Sequence, residues 1–363
     1  MLLLFLVLML GELLSSVWPL SLDATTWRAE AVVHRKEMLQ LLYPSLHAGD
    51  NNNLKYAVHA VDSNPIFNFL HTYYRYPTNK VLNYSPGLGV QMEGVTVKDV
   101  HHSKSTHPAQ AGPPITAMST TGCLSPYGLS LDESSGMAHY NGANVVKEKE
   151  VRKLKNFMNI LTESSMRQPV FNCYGLHEWA MLYSGRRDGV QSPDLMNKHQ
   201  KVPLRVSQEV IDELVEGQKN GCSLKCTHYD AYRFFHPSSQ GINSITNLSR
   251  KTQTQYEQGG CIHATMDLFK YAFTLYPFCN AELLRKTLHL ALAARKIDMR
   301  SSPYEVSEYL SEEEKAPLRV ETVEGRRKFA VEQESLYHRS MPVRAALIIA
   351  YNEYLESIGH GGS

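Results

Sequence analysis

Helical periodicity is the feature that most constrains the fold of this chain. Apolar residues recur every three or four positions along segments that begin with a capping residue or end at a proline. The clearest segment spans 281–299, and Asn280 precedes it as the predicted cap. The other predicted helices are 28–43, 65–76, 145–167, 207–216, 261–275 and 324–358, the last interrupted at Pro342.

Few segments predict strands: they lie near Val90, in 224–227 and in 318–323. No glycine-rich loop follows a strand and no strand–helix–strand alternation is present, which argues against a dinucleotide-binding fold. Residues 93–145 are rich in Ser, Thr, Gly, His and Pro and predict a loop-rich stretch. We therefore expect a mainly α fold: a single multi-helix domain over 22–363 with a few short strands.

Residues 1–21 form an apolar segment of their own. The first ten residues are wholly apolar, too short a run to span a bilayer but of signal-peptide length. No basic residue precedes Arg28 and no A-x-A-like cleavage site follows, so an uncleaved anchor or a buried helix is the alternative. A functioning signal would direct the chain to the secretory pathway or an organelle; otherwise we expect it in the cytoplasm.

The overall charge limits the classes of partner. The 363 residues include 37 basic and 36 acidic side chains, a formal net charge of +1. Proteins that coat nucleic acid need a strong basic excess, although a local basic groove stays compatible with this balance. Six cysteines are too few for a disulfide scaffold. The sequence gives no indication of a protein partner.

Three short stretches, 172–181, 226–235 and 260–269, place imidazoles beside carboxylates inside apolar and aromatic sequence. The pairs that they supply are His177 and Glu178, His228 and Asp230, and His263 and Asp267. His263 and Asp267 are four residues apart on a predicted helix, so they share one face. Imidazole and carboxylate ligands suit iron, manganese or zinc.

These stretches predict a His/carboxylate site, and we expect a metal-dependent enzyme, an oxidoreductase or a hydrolase, that acts on a small molecule. The predicted ligands of a divalent iron, manganese or zinc ion are His177, His228, His263 and Asp267. The predicted catalytic groups are His177, Glu178, Asp230 and Asp267. The predicted substrate contacts are Trp179, Arg186, Tyr229 and Arg233. A metal-free acid–base site is one alternative, and a non-catalytic helical binding protein with buried His–carboxylate pairs is another.

Five linked motifs, strongest between residues 172 and 325, carry a resemblance that covers most of the chain from about residue 22. They are FNCYGLHEWAM, THYDAYRFF, EQGGCIHATMDLFKYA, IDMRSSPYE and RVETVEGR. Together they resemble a family of bacterial and algal proteins often labelled 3-methyladenine DNA glycosylase. The resemblance implies excision of an alkylated purine base from DNA but assigns no catalytic residue.

A glycosylase needs a carboxylate that activates water and aromatic rings on which the extruded base stacks. Asp267 or Glu178 would supply the carboxylate, and Trp179 or Tyr229 the stacking ring. Its DNA-facing rim would come from the basic residues in 147–155, 250–251 and 326–328. Nucleic acid is a partner under this alternative only.

Overall fold

The periodic segments fold as helices, and the expected mainly α class with a few short strands is confirmed. The computed structural model describes residues 21–44, 64–76, 78–101, 122–186, 202–217 and 222–361. Its helices are α1 (Ala24–Leu42), α2 (Pro65–Tyr74), α3 (Thr78–Leu82), α4 (Glu148–Met166), α5 (Leu176–Met181), α6 (Gln208–Val215), α7 (Tyr229–Tyr232), α8 (Pro237–Gln240), α9 (Gln253–Tyr256), α10 (Ile262–Leu275), α11 (Ala281–Ser301) and α12 (Val323–Ser357). None of them is long and apolar enough to cross a bilayer. The apolar segment expected at the chain start lies, up to residue 20, outside the described residues.

The strands form one small sheet of β1 (Ser21–Leu22), β2 (Gln91–Met92), β3 (Leu129–Asp132) and β4 (Met137–Tyr140), in the order β1-β2-β4-β3. β1 and β2 are parallel and the other pairs are antiparallel. The strand predicted near Val90 corresponds to β2. The hairpin of β3 and β4 lies in the stretch predicted to be loop-rich, where Gly136 takes the positive φ that its turn requires.

The strands expected in 224–227 and 318–323 are not formed, so those two predictions are wrong. Asn243 bonds both backbone polar groups of Cys226: its Oδ1 accepts from the Cys226 amide at 2.8 Å and its Nδ2 donates to the Cys226 carbonyl at 3.1 Å. In the second segment the amide of Val320 donates to the carbonyl of Leu318 at 2.7 Å, which is a turn. In both places other hydrogen bonds replace the ladder that a strand needs: side-chain bonds at Cys226 and a turn bond at Val320.

The predicted interruption at Pro342 is also wrong, because α12 runs through it. An interior proline removes one helical hydrogen bond and costs about 3 kcal/mol. Packing holds the helix on the far side of this residue, since Val343 and Arg344 are buried and Arg344 Nη2 donates to the carbonyl of Ala264 on α10 at 3.2 Å. Tertiary contacts therefore outweigh the local preference.

The core lies where α10, α11 and α12 pack together. Each contributes fully buried apolar side chains, such as Phe269, Leu288 and Leu347. The Tyr351 hydroxyl donates to the carbonyl of Tyr271 at 2.9 Å and ties α12 to α10. α10 and α11 are therefore a rigid platform for the polar side chains that they carry.

His34 on α1 is a buried imidazole that makes the fold sensitive to acid. Its Nε2 lies 3.0 Å from the carbonyl oxygen of Val81, and its Nδ1 lies 3.2 Å from Nη1 of Arg285. Arg285 can only donate, so Nδ1 accepts, Nε2 donates and the ring is neutral. Burial, and after it the charge of Arg285, lowers the pKa of His34 to about 3. In the unfolded chain the pKa is about 6.5, so the stability from this group is present above pH 6.5 and lost toward pH 3.

We expect the free energy of unfolding to fall by up to about 1.4 kcal/mol per pH unit between about pH 6.5 and 4 because of His34 alone. Urea unfolding of a His34→Gln variant should show a shallower pH slope, because glutamine accepts and donates without titrating. The matched control is His289→Gln, an exposed histidine on α11. Equal slopes for the wild type and His34→Gln would contradict the prediction.

Candidate metal centre

The short helix α5 is held against the end of α11 by a close backbone approach. Gly175, which precedes α5, has φ +67°, and a Cβ there would lie 2.2 Å from Oγ of Ser301. Any other residue here would be strained by the positive φ and would have to displace the Ser301 side chain. Trp179 Nε1 adds a bond by donating to the carbonyl of Ser301 at 2.9 Å. These two contacts place His177 beside Asp298, one turn before the end of α11.

His177, His263 and Asp298 form a group that can hold a metal ion, with one ligand atom from each lying within 4.8 Å of the other two. A point between three such atoms is at most about 2.8 Å from each, close to the 2.0–2.2 Å of metal–nitrogen and metal–oxygen bonds. His177 Nε2 lies 3.1 Å from Asp298 Oδ1, about the separation of neighbouring ligands around one ion. Within the described residues, no other three His, Cys, Asp or Glu side chains meet this condition.

Two of these ligand atoms lack the hydrogen bonds that burial demands. Nε2 of His177 and Oδ1 of Asp298 are both buried and lie 3.1 Å apart, but neither makes a well-aligned hydrogen bond. A buried polar atom without a bond costs about 1–3 kcal/mol. A cation that accepts both lone pairs would remove this cost.

Arg295 connects the two elements that carry His177 and Asp298. Its Nη1 donates to Asp298 Oδ2 at 2.6 Å and to Glu178 Oε1 at 3.1 Å, and its guanidinium lies 4.1 Å from the ring centre of Phe69. The arginine therefore occupies one oxygen of Asp298 and leaves Oδ1 directed at His177. Such outer partners fix the orientation of a metal ligand.

Protonation states at the centre suit metal binding. Burial alone would raise the pKa of Asp298, but His177 and Arg295 lower it, so the carboxylate is charged at neutral pH. Burial, and then the neighbouring His177, holds the pKa of His263 well below its usual range, so this imidazole is neutral. A charged carboxylate and a neutral imidazole are the forms that bind metals.

His228 lies beside this group, its ring stacked on that of His263 with centroids 5.3 Å apart. Its Nε2 is 3.5 Å from Glu257 Oε2 and 3.5 Å from Asp267 Oδ2. Asp267 also accepts from Lys270 Nζ at 2.5 Å and from the Tyr74 hydroxyl at 3.1 Å. Lys270 therefore already supplies a positive charge at Asp267.

The structure brings all three His/carboxylate stretches together. His177 and His263 lie in the metal-binding group, and Glu178 contacts it through Arg295. His228 and Asp267, predicted as ligands, lie next to the group rather than in it. Asp230 is further out and binds Arg250 at 2.7 Å and Arg233 at 3.2 Å, and Arg250 lies over the ring of Tyr229.

Two of the predicted substrate contacts, Trp179 and Arg186, have partners within the protein. Trp179 is fully buried and its Nε1 is used by Ser301, so the ring is part of the core that supports α5. Arg186 donates two bonds to Glu216, of 2.9 and 2.8 Å. Both side chains serve to position the surrounding backbone.

Asp298 is the member of this candidate group that the sequence analysis did not single out. It lies on α11 with buried residues such as Leu284, Leu288, Ala291 and Arg295 at helical spacing before it. A carboxylate in the register of the buried face requires a partner inside the protein. The position of Asp298 on the buried face of α11 is therefore the sequence signal that could have identified it.

Several of the basic residues predicted to form a DNA-facing rim are paired with acidic side chains. Arg250 bonds Asp230, and Arg327 and Lys328 lie 3.7 and 3.8 Å from Glu324. Arg326 is buried and donates to the carbonyl of Val320. The charge around these residues is mixed rather than uniformly positive.

No family model, curated protein or solved structure matches this chain. The fold and the site together define a helical protein with a candidate metal centre of two histidines and one aspartate. Function is therefore inferred from the geometry of this centre.

Proposed function

We propose that this chain is a metal-dependent enzyme that acts on a small molecule and binds one divalent cation through His177, His263 and Asp298. The observation that carries the proposal is the convergence of these ligand atoms within 4.8 Å, from α5, α10 and α11. Structural zinc sites take four protein ligands and are closed, whereas catalytic sites keep positions open for water and substrate. Three protein ligands favour the catalytic kind.

Charge also supports a cation at this position. Glu178 and Asp298 are buried and converge on one guanidinium, that of Arg295, so with His177 in the neutral form that binds metal the group has an excess of one negative charge. Uncompensated buried charge costs several kcal/mol. A divalent ion would compensate it and would leave the centre able to stabilise negative charge on a substrate.

The solvent access of the centre and the types of its ligands indicate which reactions it could support. His263 is the least buried member of the group, so a small molecule would approach from its side. Two imidazoles and one carboxylate are the ligands of mononuclear iron oxygenases and also of zinc hydrolases. Bound iron would supply oxidative chemistry and bound zinc would supply an activated water.

Elemental analysis of the purified, tag-free chain tests the proposal. We expect close to one equivalent of iron, manganese or zinc, lost in His263→Ala because one of three ligands is removed. His289→Ala, on the exposed face of α11, should keep the metal content of the wild type. Absence of metal after reconstitution under reducing conditions, or full metal content in His263→Ala, would contradict the proposal.

The glycosylase activity implied by the resemblance stays a prediction, to be assayed on duplex DNA carrying alkylated adenine.

A further inference from the structure

Three cationic side chains converge on one carboxylate near the metal centre. Asp230 accepts from Arg250 at 2.7 and 3.2 Å, and it lies 3.2 Å from Arg233 Nε and 3.4 Å from Lys270 Nζ. We call Arg233, Arg250, Lys270 and Asp230 the Asp230 cluster. Lys270 also bonds Asp267, so the three positive charges of the cluster meet two carboxylates, Asp230 and Asp267, which leaves one positive charge in excess.

The two arginines of the cluster face solvent, whereas Lys270 is largely buried and Asp230 is buried. The exposed fractions of the side chains are 40% for Arg233, 56% for Arg250 and 17% for Lys270, against 6% for Asp230. A dissolved anion therefore meets the guanidinium groups before it meets Asp230. Guanidinium groups bind carboxylate and phosphate through paired hydrogen bonds.

Both guanidinium groups are held in place by aromatic rings. Arg233 lies 4.0 Å from the ring centre of Phe234, and Arg250 lies 4.9 Å from that of Tyr229. Stacking of this kind limits the conformations of the arginines. Less ordering is then needed when an anion binds.

A short chain of contacts joins the cluster to the metal-binding group. Lys270 Nζ lies 2.5 Å from Asp267 Oδ2, which lies 3.5 Å from His228 Nε2, and the His228 ring stacks on that of His263. The Asp267 and His228 side chains in this chain of contacts are buried, so an anion held at the cluster would act on the metal-binding group through them rather than by direct contact.

We propose that the Asp230 cluster binds the oxyanion group, carboxylate or phosphate, of a small organic substrate at the surface beside the metal centre. The inference rests on the proposed function and names its substrate class: small organic anions. The bound oxyanion would take over hydrogen bonds that Arg233 and Arg250 now direct at Asp230. Asp230 thus competes with the substrate and keeps the cations in place when the site is empty.

Calorimetric titration with inorganic phosphate and with succinate tests the inference. Arg250→Gln should weaken binding about tenfold, because it removes a charge-assisted bond. Asp230→Asn should strengthen binding several-fold, because the competing carboxylate is gone. The matched control is Arg327→Gln, an exposed arginine on α12, which should leave binding unchanged. A preference for phosphate or for succinate identifies which oxyanion the cluster takes.

The same titrations in metal-free His263→Ala separate this inference from the proposed function. Anion binding that persists there and responds to Arg250→Gln supports the cluster even if no metal is ever found. No anion binding by the wild type and Asp230→Asn, or equal binding by the wild type and Arg250→Gln, would overturn the inference. Binding of duplex DNA without any affinity for the small anions would overturn it as well.

Discussion

Replacing Arg295 by methionine is expected to lower the free energy of unfolding of the metal-free chain by about 3–5 kcal/mol. The guanidinium is 1% exposed and is the group on which Glu178 and Asp298 converge. Methionine keeps much of the volume against Phe69 but supplies no charge. Two buried carboxylates would then remain without the positive charge that lies between them.

Urea unfolding in the presence of a chelator measures this loss. The matched control is Lys286→Met, on the same helix, whose ion pair with Glu282 is solvent-exposed and contributes less than about 1 kcal/mol. Added divalent metal should restore part of the stability, about 2.7 kcal/mol at a concentration one hundred times the Kd. A loss below about 1 kcal/mol would show that the carboxylates do not depend on this arginine.

A second substitution shows whether charge, rather than packing, is responsible. In the Arg295→Met/Glu178→Gln double variant one of the two buried charges is removed, so the double variant should be more stable than Arg295→Met alone. The two residues are in direct contact, and their effects should therefore be non-additive. An additive result would assign the loss to packing around Phe69.

The fold class follows from local patterns because they are repeated many times along the chain. The segment predicted as 281–299 forms α11, and Asn280 caps it by accepting from the amide of Leu283. At Pro342 the local preference predicts a break in the helix, but tertiary packing keeps α12 continuous. Hydrogen bonds between distant residues likewise outweigh the local preference at Cys226, whose backbone bonds the side chain of Asn243.

The candidate site was only partly predictable because its ligands come from three separate elements. Sequence singled out His177 and His263, since each lies beside a carboxylate in apolar surroundings. It did not pair them with Asp298, because that pairing depends on the approach of Gly175 to Ser301 across more than a hundred residues. Asp267, at ideal helical spacing from His263, instead accepts a bond from Lys270 three residues further on. Spacing along a helix predicts which side chains share a face. It does not predict which neighbouring charge will pair with a carboxylate on that face.

Replacing Asp298 by asparagine is expected to weaken metal binding more than about 100-fold, since loss of a partner that merely orients a ligand already costs about 10–100-fold. Arg295 donates to the oxygen in the Oδ2 position, so the amide oxygen of asparagine would take that place. The amide NH₂ would then occupy the Oδ1 position beside His177. The amide nitrogen has no lone pair available to bind a metal, and its N–H bonds would point at the cation.

Metal titration of Asp298→Asn, with Glu282→Gln on the same helix as the control, measures this loss. We expect Arg295→Met to lose more stability than Asp298→Asn, and Asp298→Asn to lose more metal affinity than Arg295→Met. Asp298→Asn removes the excess negative charge, leaving Arg295 and Glu178 as a balanced pair, so the metal-free chain should lose far less stability than Arg295→Met loses. Arg295→Met keeps all three ligands and should still bind metal measurably. Wild-type affinity in Asp298→Asn would exclude Asp298 as a ligand, whereas a large loss of both stability and affinity in both variants would mean that these residues only hold the fold together.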